Sequence, residues 1–229
     1  MIEGHGRGEP MCGRVAVKKG LAGLVLEHLG AQGITDDWLV PNPNLSPTNL
    51  LPVVRLINGR RVATSYIWGF LPPNAPSRGF ISEYFTFNAR DDKLATGRLY
   101  AKPFKTQRCL IPVSAWFEWP KPPGSKKGTP CTIVPTGVDM FVFAGLWGMW
   151  TDPDTGLEHG TATVITTSPN ELIADLPHHR MPAILGPSEW ETWLDPTTPM
   201  VGLQALLRPA PSEWVEVLDQ GWQRGHPHQ

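Results

Sequence analysis

The chain has 229 residues, of which 41% are hydrophobic and 18% charged, enough to bury one sizeable core. Its 23 glycines and 25 prolines call for many turns and short elements, which excludes a helical bundle or a coiled coil. No run approaches the roughly 18 apolar residues of a membrane span, and the opening MIEGHGRGEP lacks the apolar stretch of a signal peptide, so a soluble, cytoplasmic protein with no membrane partner is expected. The net charge of −1 conceals an asymmetry: residues 1–130 hold 17 Lys and Arg against 9 Asp and Glu, net +8, and residues 131–229 hold 3 against 12, net −9. Either the basic part docks an anionic partner or the two parts neutralise each other across one fold. Cys12, Cys109 and Cys131 form neither a CxxC pair nor an even set, which fits no disulfide framework and no common zinc spacing.

In chain order, Leu21, Leu24, Val25 and Leu29 fall near helical spacing within 17–31, with Gly30 and Gly33 as stops. LPVVRLI, Asn58-Gly59 and RRVATSYIWGF predict a tight hairpin, because both central residues of its turn need φ > 0. Four further β-rich segments follow at 109–119, 131–135, 140–150 and 161–167, and short helices at 188–194 and 201–207 close the chain. No repeat or linker-like composition break occurs. The fold class expected is α+β, built on a mostly antiparallel, barrel-like sheet with a few flanking helices.

Several residues could carry chemistry. In Met11-Cys12-Gly13-Arg14, a Cys12 freed at its amine would be a 1,2-aminothiol. Its amine condenses with an aldehyde to an imine, and the adjacent thiolate closes a five-membered thiazolidine. An amine pKa of about 7.7–8.0 and a thiol near 8.5 leave both nucleophiles partly available at neutral pH. An ordinary buried cysteine is the alternative. Asn88 and Arg90, two apart after an alternating segment, share a face if the strand persists, although Asn88 could simply form a turn. Glu118 stands between Phe117 and Trp119, where desolvation would raise its pKa towards neutrality, unless it is an edge residue facing water. In LPHHRMPAIL, adjacent His178 and His179 point apart on an extended segment and do not make a metal pair, so acid/base work by one histidine is the sharper reading. Ten tryptophans, Trp68 among them, could supply stacking surface, although most tryptophans in such a chain are core residues.

Taken together, MCGR (11–14), NLSPTN (44–49), WGFLP (68–72), NAR (88–90), RCLIP and FEW (108–119), FAGLW (143–147), ITT (165–167) and H-x-R-M-P-A-I-L (178–185) resemble the SRAP family of SOS-response-associated peptidases and abasic-site processing proteins. The motifs run in the family's order over nearly the whole chain. The resemblance implies a β-rich SRAP fold over 11–222, flanked by an extension at 1–10 that is disordered or removed and a tail at 223–229. It implies a groove for single-stranded DNA containing abasic sites, no cofactor, no metal and a monomer. Its activities would be self-processing peptidase action and DNA crosslinking with lyase-like character, in a nucleoid-associated setting if the source is bacterial. By resemblance, Cys12 is the nucleophile, Asn88 bonds near the reacting N-terminus, Glu118 shuttles protons and His178 assists sugar ring opening. Arg14, Asn44, Trp68, Arg90 and Arg180 are the DNA-binding set.

The chain departs from the family pattern in two places. Ten residues precede Met11, and with them attached the Cys12 amine is an amide; a start at Met11, an added extension or self-removal of 1–11 would each account for this. The segment PPNAPSRGFISEY after Trp68 replaces the family's usual second tryptophan region. Two other functions compete. An N-terminal-cysteine amidotransferase also begins Met-Cys-Gly but leaves FEW and H-x-R-M-P unexplained. A non-catalytic single-strand-binding module would leave Cys12 as a core residue.

Overall fold

Local pattern decides the first elements. A computed structural model of the protein describes residues 12–33, 40–120, 128, 130–176 and 179–218. Strand β1 (Val15–Val17) is buried throughout, and helix α1 (Leu21–Leu29) buries the Leu21, Val25, Leu29 stripe before Gly30 ends it at φ 58. The helix is shorter than the 17–31 pattern because Val17 belongs to the strand. After β2 (Asn42–Leu45), strands β3 (Leu50–Ile57) and β4 (Arg60–Trp68) form the expected hairpin, with Asn58 at φ 50 and Gly59 at φ 75.

Helix α2 (Gly79–Tyr84), strand β5 (Asn88–Arg90) and helix α3 (Ala101–Thr106) carry the chain to the apolar run 108–118. That run is divided at Ser114 into β6 (Arg108–Val113) and β7 (Ala115–Glu118), every residue of which is buried. The Ser114 N–H donates to the Ala16 carbonyl at 2.8 Å and its hydroxyl accepts from the Lys18 N–H at 3.1 Å, so the break is fixed by β1 and its following turn. Strands β8 (Cys131–Pro135), β9 (Phe141–Thr151) and β10 (Glu158–Thr167) follow, then α4 (Glu171–Ala174), β11 (Met181–Pro182), α5 (Trp190–Leu194), α6 (Met200–Leu206) and β12 (Val215–Leu218).

The strands form two sheets. One runs β12-β8-β7-β1-β2, antiparallel throughout; in the other, β10 pairs with both β4 and β9, closing β10-β4-β3-β6-β9 into a five-stranded barrel. The architecture is α+β and mostly antiparallel, with β10 parallel to β4 and to β5. Strand β10 changes neighbours along its length: Thr161 and Ala162 face β4, whereas Val164–Thr166 face β5 and Thr166–Thr167 face β11. An added Cβ at Gly160 would lie 2.1 Å from the Tyr66 ring, so glycine lets that ring cross the strand.

Arg108 ties the barrel to its outer helices. Its Nε donates to the Trp193 carbonyl at 2.7 Å, Nη1 to the carbonyls of Phe104 (2.9 Å) and Lys105, and Nη2 to that of Asp195 (2.7 Å). Its guanidinium also lies 5.9 Å from the Trp193 ring centre. Arg108→Ala leaves these carbonyls without their donor and should lower unfolding free energy by about 3 kcal/mol in urea denaturation. No helix among the described residues is long and apolar enough to cross a membrane.

Candidate active site

Strand period places the acid. On β7, Ala115 and Phe117 face a small cluster with Ala16, whereas Trp116 and Glu118 point to the other side, into the main core. Trp116 packs there against Phe141 and Phe143, with ring centres 4.9 and 5.9 Å away. Glu118 is the last residue of that strand, opposite Cys131 on β8, and is 2% exposed. An edge position facing water is therefore excluded. Burial pushes the carboxyl up to about 7, against the opposing pull of hydrogen bonds from Cys12.

Cys12 meets this carboxylate twice. Its backbone N–H donates to Glu118 Oε1 at 3.1 Å, and its thiol donates to the same oxygen at 2.9 Å. The approach is set by the Phe117 N–H, which donates to the Arg14 carbonyl at 3.0 Å and holds the segment against β7. Cys12 has φ 50, a left-handed conformation uncommon outside glycine and asparagine, and it is buried. Burial first, then the neighbouring carboxylate, raises the thiol pKa, while Arg180 acts in the opposite direction. The resting pair is thus a neutral thiol on a carboxyl poised near neutrality.

The remaining predicted residues fall into distinct environments. Phe87 lies beside Gly13, with 3.8 Å between its ring and a Cβ built there, and Asn88 follows it at the start of β5. Asn88 and Arg90 share a face of that strand, as the spacing predicts. Arg14 Nη1 donates to Asn44 Oδ1 at 2.6 Å, so Asn44 orients a cation two residues from Cys12. Arg90 is exposed and paired with Asp92, whereas Arg180 is buried and donates to the Asp91 carboxylate and the Thr166 carbonyl.

Trp68 corrects an expectation. It is fully buried, its indole N–H donates to the Phe87 carbonyl at 3.0 Å, and its ring meets that of Phe87 edge-on, so it offers no face to a base. The indole needs a buried acceptor and finds it in the residue just before Asn88. An exposed aromatic beside this site is instead Phe85, 44% exposed and 6.1 Å from Phe87 between ring centres. It directly follows the segment that departs from the family pattern. His178 lies outside the described residues, and neighbouring His179 is exposed.

Two partners escaped sequence reasoning. Asp91 anchors Arg180 and accepts from the Thr167 hydroxyl at 3.0 Å, while the Cys131 thiol points at the Glu118 carbonyl at 3.6 Å. Two consecutive acids after Arg90 were the available signal for the first; the second has none without the β7–β8 register. Among the described residues no group of three or more His, Cys, Asp or Glu is placed to hold a metal ion.

The comparisons with known proteins agree. The family described as SOS response associated peptidase (SRAP) matches residues 11–220. The chain is 32% identical over 208 residues to abasic site processing protein YoqW of Bacillus subtilis (strain 168), covering 90% of each. It is 28% identical over 240 residues to abasic site processing protein HMCES of Gallus gallus, covering 87% of this chain and 70% of that one. A crystal structure of a Bacteroides thetaiotaomicron protein superposes with a TM-score of 0.74 at 28% identity, covering 90% of this chain and 89% of that one. The chain belongs to the SOS response associated peptidase (SRAP) family.

Proposed function

We propose that this protein processes abasic sites in single-stranded DNA by joining Cys12 covalently to the ring-opened sugar, after removing residues 1–11 from itself. The observation that carries the reading is that one buried oxygen, Glu118 Oε1, touches both the nitrogen and the sulfur of Cys12. A 1,2-aminothiol needs a proton taken from sulfur and a proton delivered to nitrogen, and a single carboxyl near pKa 7 can serve both. The names of the relatives support the substrate class.

In the capture step, the free Cys12 amine attacks the aldehyde carbon, and loss of water gives the imine. Glu118 takes the thiol proton, the sulfur adds to the imine carbon, and the nitrogen receives the proton as the thiazolidine closes. The net change is aldehyde plus aminothiol to thiazolidine plus one water. His178 assists ring opening of the sugar, and Asn88 bonds near the reacting nitrogen. Arg14 and Arg90 hold backbone phosphates, and Arg180 stays near the reacting sulfur.

Self-processing uses the same groups earlier. The Cys12 sulfur attacks the Met11 carbonyl carbon, the C–N bond breaks as Glu118 gives the nitrogen a proton, and water hydrolyses the resulting thioester. Intact mass spectrometry of the purified chain, before and after mixing with a single strand bearing one abasic site, reads both events. The expected result is a chain beginning at Cys12 and an adduct of summed mass less one water. A chain beginning at Cys12 that gains no mass from the abasic strand would overturn the capture reading.

A further inference from the structure

Asp91 and Asp92 follow Arg90 directly and treat two arginines differently. Arg90 ends β5 opposite Thr166, and Arg180 donates to the carbonyl of that same Thr166, so the two arginines meet β10 at one residue. Arg180 is 10% exposed in its side chain, and its partner Asp91 is itself fixed by the Thr167 hydroxyl. Arg90 is 57% exposed, and its Nε and Nη2 each donate at 2.9 Å to the two oxygens of Asp92, which is 46% exposed. This is the two-pronged geometry with which a guanidinium also grips two phosphate oxygens. Exposed pairs of this kind contribute little to stability, so exchanging one anion for another on Arg90 costs little. The embedded Arg180 pair offers no such exchange.

We propose that Asp92 is an intramolecular stand-in for a nucleic-acid phosphate on Arg90: its carboxylate fills the guanidinium fork in the free protein and is displaced when a strand binds. The inference rests on the reading that Arg90 holds a phosphate. An approaching strand meets a neutral pair there and must compete with a tethered carboxylate for it. Affinity for undamaged strands is lowered, while a strand joined to Cys12 is retained by its covalent bond whatever Arg90 does. Asp92 therefore sets selectivity for damaged over intact strands by weakening the encounter they share.

The test is fluorescence anisotropy of a labelled, undamaged oligothymidylate against the wild type, Asp92→Asn, Arg90→Ala and the double variant over a salt series. Asp92→Asn should bind about three- to tenfold more tightly at low salt and steepen the logarithmic salt slope by about 0.7, one single-strand phosphate contact. In the Arg90→Ala background the same substitution should change neither quantity. Weaker or unchanged binding by Asp92→Asn, with Arg90→Ala weakened, would show that Asp92 orients Arg90 or does nothing and would overturn the inference while sparing the phosphate reading. Equal tightening in both backgrounds would reveal long-range charge alone and also overturn it. If Arg90→Ala binds like the wild type, the phosphate reading of Arg90 fails and takes the inference with it.

Discussion

Glu118→Gln is expected to slow adduct formation by about 10²- to 10⁴-fold, the range for loss of a positioned acid/base, and to remove the inflection near pH 7 that the carboxyl contributes. On the proposed mechanism the thiol proton passes to Glu118, which must be ionised to take it, so the rate should rise with pH through about 7. Single-turnover rates on an abasic strand between about pH 5 and 9 should show an inflection near 7 in the wild type, whereas the variant should keep only the rise that follows loss of the proton from the Cys12 amine at about 7.7–8.0.

Stability should move the other way. The unfolded carboxyl titrates near its ordinary value, whereas the folded one is pushed up to about 7 by burial. The folded state therefore holds a proton that the unfolded chain loses first. Stability is fully present below about pH 4.5 and falls as pH rises through about 7, by about 3 kcal/mol in all. Glutamine carries no such loss but adds an amide that needs an acceptor. A net gain of about 1–2 kcal/mol over the wild type at pH 8, and none at pH 5, is expected in urea denaturation. An acid retained at this cost is the pattern of a functional site rather than of a packing residue.

Much of this site was legible in the sequence because its residues break local rules. An acid inside an apolar β-run is out of keeping, and Glu118 is indeed buried by the alternation that sends Trp116 inward. The Asn58-Gly59 turn and the α1 stripe are equally local, and both stand where the pattern put them. What was not legible depends on pairing between distant segments. The division of 108–118 at Ser114 comes from hydrogen bonds to Ala16 and Lys18, and an unbroken apolar run carries no mark of it. Trp68 reads as stacking surface until its indole is seen donating to Phe87. Arg180 and Arg90 look alike as cations; only the placement of Asp91 and Asp92 separates a fixed charge from an exchangeable one.

Cys12→Ala, in a chain beginning at residue 12, should abolish the heat-stable adduct, a loss of about 100-fold or more in yield. The terminal amine remains and can still form an imine, which water reverses because no sulfur closes the ring. Borohydride added during the reaction should therefore recover an adduct from the variant that is absent without it, on denaturing gels. Affinity for an undamaged strand should stay within about twofold, since the Cys12 side chain is buried and offers a phosphate no contact. Undiminished heat-stable adduct without reductant would assign capture to another nucleophile.

Cys12 stands three positions ahead of β1, and β1 lies between β7 and β2. A cut before Cys12 leaves every strand of that ladder in the chain. A tension applied through anything fastened to Cys12, such as a strand drawn away by a motor, enters the protein at an interior strand bonded along both sides. Such a strand must slide against two neighbours at once, whereas an edge strand would unzip one hydrogen bond at a time. On the proposed function the attachment point would thus be a mechanical anchor, and the fold would resist being pulled apart by the strand it captures.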